Sequence, residues 1–79
     1  MKRDMIIEII YRSMPNPLKI SDIDSAGINN VRFTWRGSRF RVSNHLVVEE
    51  VERVGESSVL SRSNEALLVQ ALLQDTVSL

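Results

Sequence analysis

The sequence contains no cysteine, and its 79 residues include a single histidine, His45. Without cysteine the chain can form no disulfide, and one histidine without thiolate ligands is too few for a structural zinc site. A domain of this size buries only about 60% of the surface that its unfolded chain exposes, so its stability is marginal. Self-association is the remaining way for so small a domain to add stability, and we expect a homo-oligomer.

Long apolar runs and glycine-rich loops are also missing. No stretch approaches the roughly 18 consecutive apolar residues of a membrane span. Asp4 and Glu8 interrupt the N-terminal segment where a signal peptide would have its apolar core. We therefore expect a cytoplasmic protein with no membrane partner. The three glycines, Gly27, Gly37 and Gly55, are isolated, which excludes a glycine-rich phosphate-binding loop.

The residue sets that support catalysis or metal binding are missing as well. His45 stands in a short polar segment over 43–45, which is typical of a solvated turn histidine rather than of a general base. Residues 22–33 begin like a calcium loop, but Ala26 and Phe33 occupy positions where that loop requires oxygen ligands. We expect a protein without enzymatic activity, cofactor or metal.

Charge is balanced overall but unevenly spread along the chain. Ten Lys and Arg residues against ten Asp and Glu residues give a formal net charge of zero. Residues 1–45 hold eight basic and four acidic side chains, a local charge of +4, and residues 46–79 hold two basic and six acidic ones, a local charge of −4. Such asymmetry indicates either a bipolar surface or two halves that neutralise each other in the fold.

The most informative segment is 31–42, where apolar and polar residues alternate on both sides of the glycine-serine pair at 37–38. Alternation at period two around such a pair predicts a β-hairpin with a two-residue turn, a register that sets Trp35 opposite Phe40. One face of this hairpin is apolar. The other face carries four arginines and no acid: Arg32, Arg36, Arg39 and Arg41.

Helical spacing predicts two helices outside the hairpin. Isoleucines at i, i+3 and i+4 over 4–13 favour a helix, although four isoleucines also suit a strand. Ser63 is a good N-cap for a second helix over 64–75. Residues 21–27 have the pattern of one capped helical turn. A short helix at this position, after the first helix, weakly resembles a helix-turn-helix. Residues 21–27 are too few, however, to form the second helix that enters a DNA groove.

These elements predict a single α+β domain over 1–79. A three- to four-stranded antiparallel meander has one face covered by the N-terminal and C-terminal helices. Strands are expected over about 30–36, 39–43 and 46–54, with a fourth candidate over 58–60. The predicted core consists of Ile6, Ile9, Ile10, Ile28, Val31, Phe33, Trp35, Phe40, Val42, Val48, Leu68 and Leu72.

The arginine-rich hairpin face leads to the first functional hypothesis. Guanidinium groups bind phosphate oxygens bidentately and stay charged at physiological pH, and a β-ribbon or sheet face can contact a nucleic-acid backbone. We therefore expect DNA or RNA binding through Arg32, Arg36, Arg39 and Arg41. The competing interpretation is a purely structural face, in which the arginines are neutralised by acids of the next strand: Glu49, Glu50 and Glu52.

The C-terminal helix leads to the alternative hypothesis. Apolar residues occupy most of its circumference, which is more than one small sheet can cover. This favours a homo-oligomeric interaction module whose interface includes Leu67, Val69 and Leu73. The uneven charge agrees with that hypothesis, since the +4 region of one subunit could meet the −4 region of another.

Overall fold

A computed structural model describes residues 1–14, 18–20 and 30–78, with the backbone alone for 18–20. The predicted fold, an α+β domain with an antiparallel meander and a helix at each end, is confirmed. The predicted turn over 21–27 and the core residue Ile28 lie outside these residues. In chain order the elements are α1 (Arg3–Ser13), β1 (Leu18–Ile20), β2 (Val31–Trp35), β3 (Ser38–Val42), β4 (Val48–Val54), β5 (Ser57–Ser61) and α2 (Asn64–Ser78).

The sheet has five strands in the order β1-β2-β3-β4-β5, and each strand is antiparallel to its neighbour. β1 was not predicted. Its three residues are too few to show an alternation in the sequence. The strand pairs with β2 and sets Lys19 opposite Thr34.

The hairpin of β2 and β3 turns one residue earlier than the sequence indicates. Arg36 and Gly37 form the turn, with φ angles of 52° and 80°. Positive φ at both central residues is the type I′ combination, which matches the twist of the flanking strands. The predicted register is therefore wrong, and Phe33 instead of Trp35 opposes Phe40. The two phenyl rings pack with centroids 5.3 Å apart.

The third strand also begins later than expected. Leu46 lies in the connection before β4 with a φ of 61°, and its side chain is buried. Val48, the first residue of β4, pairs with Val42. The hydroxyl of Ser43 accepts hydrogen bonds from the backbone N–H groups of His45 and Val47, both at 3.2 Å, which closes this connection. This register sets Glu49 opposite Arg41.

Both helices pack on one side of the sheet, which we call the covered face. The side that α1 and α2 leave uncovered is the open face. The core lies between the helices and the covered face, and its buried residues are Ile6, Ile10, Met14, Val31, Phe33, Trp35, Phe40, Val42, Leu46, Val48, Ala66, Val69 and Leu73.

Helix α2 buries a different stripe from the one predicted. Ala66, Val69 and Leu73 have no exposed surface, whereas Leu68 is 52% exposed and Leu72 is partly buried at the edge of the core. Ile9, on α1, is likewise only partly buried. The predicted core is thus wrong for Leu68.

Hydrogen bonds tie the start of α2 to β4. The hydroxyl of Ser63 accepts a hydrogen bond from the backbone N–H of Ala66 at 3.1 Å, the geometry of an N-cap, and it donates to the carboxylate of Glu50. One turn further on, the side-chain oxygen of Gln70 accepts from the backbone N–H of Val48 at 3.1 Å. These contacts fix which side of α2 meets the sheet.

The N-cap is testable by Ser63→Ala. We expect the free energy of unfolding to fall by about 1–2 kcal/mol, because the helix loses its cap and Glu50 loses a donor. Urea denaturation measures the change. Ser78→Ala, at the exposed end of the same helix, is the matched control and is expected to change stability by less than about 0.5 kcal/mol. Equal effects of the two substitutions would contradict the capping role.

Candidate nucleic-acid interface

The open face gathers most of the arginines of the hairpin. The strand registers place on it Arg32 from β2, Arg39 and Arg41 from β3, and Glu49 and Arg53 from β4. These four arginines and one glutamate carry a formal charge of +3. Alternation within each strand dictates this arrangement, because successive side chains point to opposite sides of a sheet.

Arg32 and Arg41 occupy directly opposite positions on β2 and β3. Side chains so placed have Cβ atoms about 4.5–5.5 Å apart, and like charges at that distance destabilise a sheet.

Arg39 and Arg41 form no ion pair with a carboxylate of the described residues. Over residues 1–14, 18–20 and 30–78, an ion pair joins Arg12 to Glu8 on α1 at 3.4 Å, and no carboxylate oxygen lies within 4.0 Å of the guanidinium of Arg39 or Arg41. Glu49 opposes Arg41 in the register without forming such a pair. Both arginines therefore keep their hydrogen-bond donors available.

Two of the three glutamates that could oppose the arginines lie on the other side of the sheet. Glu50 is opposite Phe40 on the covered face and accepts the hydrogen bond from Ser63. Glu52, two residues further along β4, shares that side and is exposed. Of these three glutamates, Glu49 alone shares the open face.

Arg36 does not belong to this surface, and its predicted place beside the other three arginines is corrected by the structure. It lies in the turn, where its guanidinium carbon is 4.4 Å from the ring centroid of Trp35, a cation–π contact. Trp35 belongs to the covered face. With Glu65 and Leu68 the two residues line a pocket of about 140 Å³, which is smaller than the roughly 300 Å³ of ordinary ligand sites.

Arg53 is the member of the open face that the sequence did not reveal. It is exposed and stands opposite Ser58 on β5. Two residues earlier on β4, Val51 opposes Leu60 and is only 8% exposed. Val51 and Leu60 therefore form an apolar patch on the open face. The aliphatic parts of arginine side chains can pack on such a patch while their guanidinium groups stay in water.

The predicted oligomer interface on α2 also needs correction. Val69 and Leu73 have no exposed surface because they pack in the core of their own chain, so they offer nothing to a partner. Leu67 is 46% exposed and remains available together with its neighbour Leu68. The exposed apolar part of α2 is thus narrower than the sequence indicates.

The described part of the chain holds no group of three His, Cys, Asp or Glu side chains that could bind a metal ion. Neither α1 nor α2, the two helices described, combines the length and apolarity needed to cross a membrane. Comparisons of the chain with protein-family models, curated proteins and solved structures found no match.

Proposed function

We propose that this protein is a non-enzymatic nucleic-acid-binding protein that contacts phosphates through the open face of its sheet. The contacting residues are Arg32, Arg39, Arg41 and Arg53. The observation that carries the proposal is the charge of +3 that the described side chains give this face, on which Arg39 and Arg41 have no ion-pair partner among the described residues. A cytoplasmic setting, where nucleic acid is available, fits this role.

The spacing of the arginines suits a chain of phosphates. Alternate residues of one strand are about 6.7 Å apart and neighbouring strands are about 4.8 Å apart. Arg39 and Arg41 are therefore separated along β3, while Arg32 adds a second guanidinium beside Arg41 across the sheet. Several phosphates of one backbone can be contacted at once, which is how multiple weak ion contacts add up to binding.

The aromatic residues indicate that binding is independent of base sequence. Phe33, Trp35 and Phe40 are buried on the covered face, and Tyr11 lies on α1. These are all the aromatic residues of the chain, so the open face offers no ring on which a base could stack. Phosphate contacts without base contacts position a protein on nucleic acid and carry no sequence information.

Salt dependence of binding tests the proposal. Four phosphate contacts predict a slope of about −3.6 for log K against log salt on duplex DNA, or about 150-fold weaker binding when salt rises fourfold. Fluorescence anisotropy with labelled duplexes of two unrelated sequences and with single-stranded RNA measures this slope. A folded protein that binds none of these probes at low salt would overturn the proposal.

The variant Arg39→Ala/Arg41→Ala locates the interface. We expect the slope to fall to about −1.8, with equal weakening for both sequences, because two phosphate contacts are lost. The control Lys2→Ala/Arg12→Ala removes the same charge from exposed positions at α1. It should leave the slope near −3.6, and equal losses in the two variants would show that net charge alone determines binding.

A further inference from the structure

Strand β5 forms an edge of the sheet and is unusually unprotected. It pairs with β4 along one side, and no strand of the described chain pairs with its other side. Ser57–Ser61 contains neither proline nor a charged residue, the two features with which natural proteins commonly block edge pairing. Val59 and Leu60 are 46% and 36% exposed, so the strand offers apolar side chains as well as free backbone groups.

The hairpin geometry determines which backbone groups point outward. Val54 and Ser57 flank the two-residue turn of Gly55 and Glu56 and form the closing pair. In such hairpins the closing pair is hydrogen-bonded, and hydrogen-bonded and non-hydrogen-bonded pairs then alternate along the strands. Ser57, Val59 and Ser61 therefore direct their N–H and C=O groups toward β4. The backbone groups that face outward belong to Ser58 and Leu60.

We infer that a second copy of this chain pairs with the outer edge of β5, antiparallel, about a two-fold axis at Val59. In this register Ser58 of each copy opposes Leu60 of the other, and each such pair exchanges two hydrogen bonds. In this register the outward N–H and C=O groups of Ser58 and Leu60 form hydrogen bonds in both copies. Val59 meets its own symmetry mate in a non-hydrogen-bonded pair.

The charges that flank β5 identify the occupant as a copy of the same chain. Glu56 precedes the strand and Arg62 follows it, and both are exposed. One guanidinium nitrogen of Arg62, Nη2, donates a hydrogen bond to Oε1 of Gln70 at 3.0 Å, and its other N–H groups can still meet a partner's carboxylate. Antiparallel pairing about Val59 sets Glu56 of each copy opposite Arg62 of the other, which gives two complementary ion pairs. A shift of two residues would set Glu56 opposite Leu60 or Asn64 instead, and parallel pairing would set it beside another Glu56.

Pairing of this kind joins the two sheets into one of ten strands. Residues that oppose each other directly in an antiparallel pair point to the same side, so the open faces of the two copies lie on the same side of the continuous sheet. The proposed dimer contact involves only β5 and the charges that flank it. It does not depend on nucleic-acid binding, although it would place two +3 surfaces side by side.

Cysteine cross-linking tests the position of the axis. The chain has no cysteine of its own, so any disulfide in Val59→Cys joins two copies. Non-hydrogen-bonded pairs bring Cβ atoms to about 4.5–5.5 Å, close to the range that a disulfide spans. The control Val54→Cys places a cysteine in the same hairpin, away from the axis, at a position that is 57% exposed against 46% for Val59.

We expect Val59→Cys to form the covalent dimer about tenfold faster than the control or more, because pairing raises the effective concentration of its thiols. Equal rates, or no covalent dimer from Val59→Cys, would overturn the inference.

Charge reversal tests the register. We expect Glu56→Arg to weaken dimerisation about tenfold, because two attractive pairs become repulsive, and Glu56→Arg/Arg62→Glu to restore it. Glu52→Arg makes the same charge change on β4 and should leave the dimer intact. Sedimentation equilibrium distinguishes one 9.0 kDa chain from two, and circular dichroism verifies that each variant is folded. A monomeric wild-type protein at micromolar concentration, or a double variant that stays monomeric, would refute the pairing.

Discussion

Phe33→Ala is expected to leave the protein close to unfolding. Phe33 lies in the middle of β2 with no exposed surface, and its ring packs against Phe40. Removing it should lower the free energy of unfolding by about 3–5 kcal/mol, through lost burial, a cavity and the lost aromatic pair. A domain of this length has a total stability of about 4–12 kcal/mol, so the variant should be partly unfolded in mild urea.

Urea denaturation followed by tryptophan fluorescence measures this loss. The chain has one tryptophan, Trp35, which is 5% exposed at the end of the same strand. Tyr11→Ala is the control, since it removes an aromatic ring that is 57% exposed on α1, and it should cost less than about 0.5 kcal/mol. A loss below about 1.5 kcal/mol for Phe33→Ala would mean that the hairpin does not form the centre of the core.

The hairpin shows why the sequence predicted the faces of the sheet but not its register. The apolar side of 31–42 was assigned correctly, because the real register differs from the predicted one by two residues and such a shift leaves every side chain on its side. The turn was misplaced because arginine is a poor residue for positive φ, whereas Gly-Ser is an ordinary turn sequence. The structure keeps Arg36 in the turn, with a cation–π contact to Trp35.

The candidate site was partly predictable for the same reason. Arg32, Arg39 and Arg41 alternate with large apolar residues, and this pattern sufficed to group them on one side. Arg53 was missed because the Val-Glu-Glu-Val-Glu-Arg-Val run of β4 has no clean period of two. Val51 lies buried on the open face, opposite Leu60. That pairing depends on a fifth strand whose register the sequence does not fix.

For helix α2, hydrophobic periodicity does not determine which side packs in the core. Its apolar residues run almost without interruption over 66–73, so several stripes of the helix fit the core equally well. Polar contacts select the stripe. Ser63 caps the helix beside Glu50, and Gln70 accepts a hydrogen bond from the backbone of Val48. Both contacts depend on residues distant in sequence and are invisible to a pattern search.

The substitution Leu73→Ala tests that choice of stripe with a large expected effect. Leu73 has no exposed surface, and one turn later Thr76 accepts a hydrogen bond from Ser13 of α1 at 2.6 Å. Leu73 therefore lies where α2 passes α1, and the space it leaves is held open by both helices. We expect a loss of about 3–5 kcal/mol in the free energy of unfolding.

Leu68→Ala is the matched comparison, because it removes the same atoms from the same helix. The sequence pattern placed Leu68 in the core, whereas the structure leaves it 52% exposed, so its loss should be below about 1 kcal/mol. Urea denaturation of the two variants decides between the stripes. A larger loss for Leu68→Ala would mean that α2 is rotated about its axis, with Leu73 turned outward and available to a partner after all.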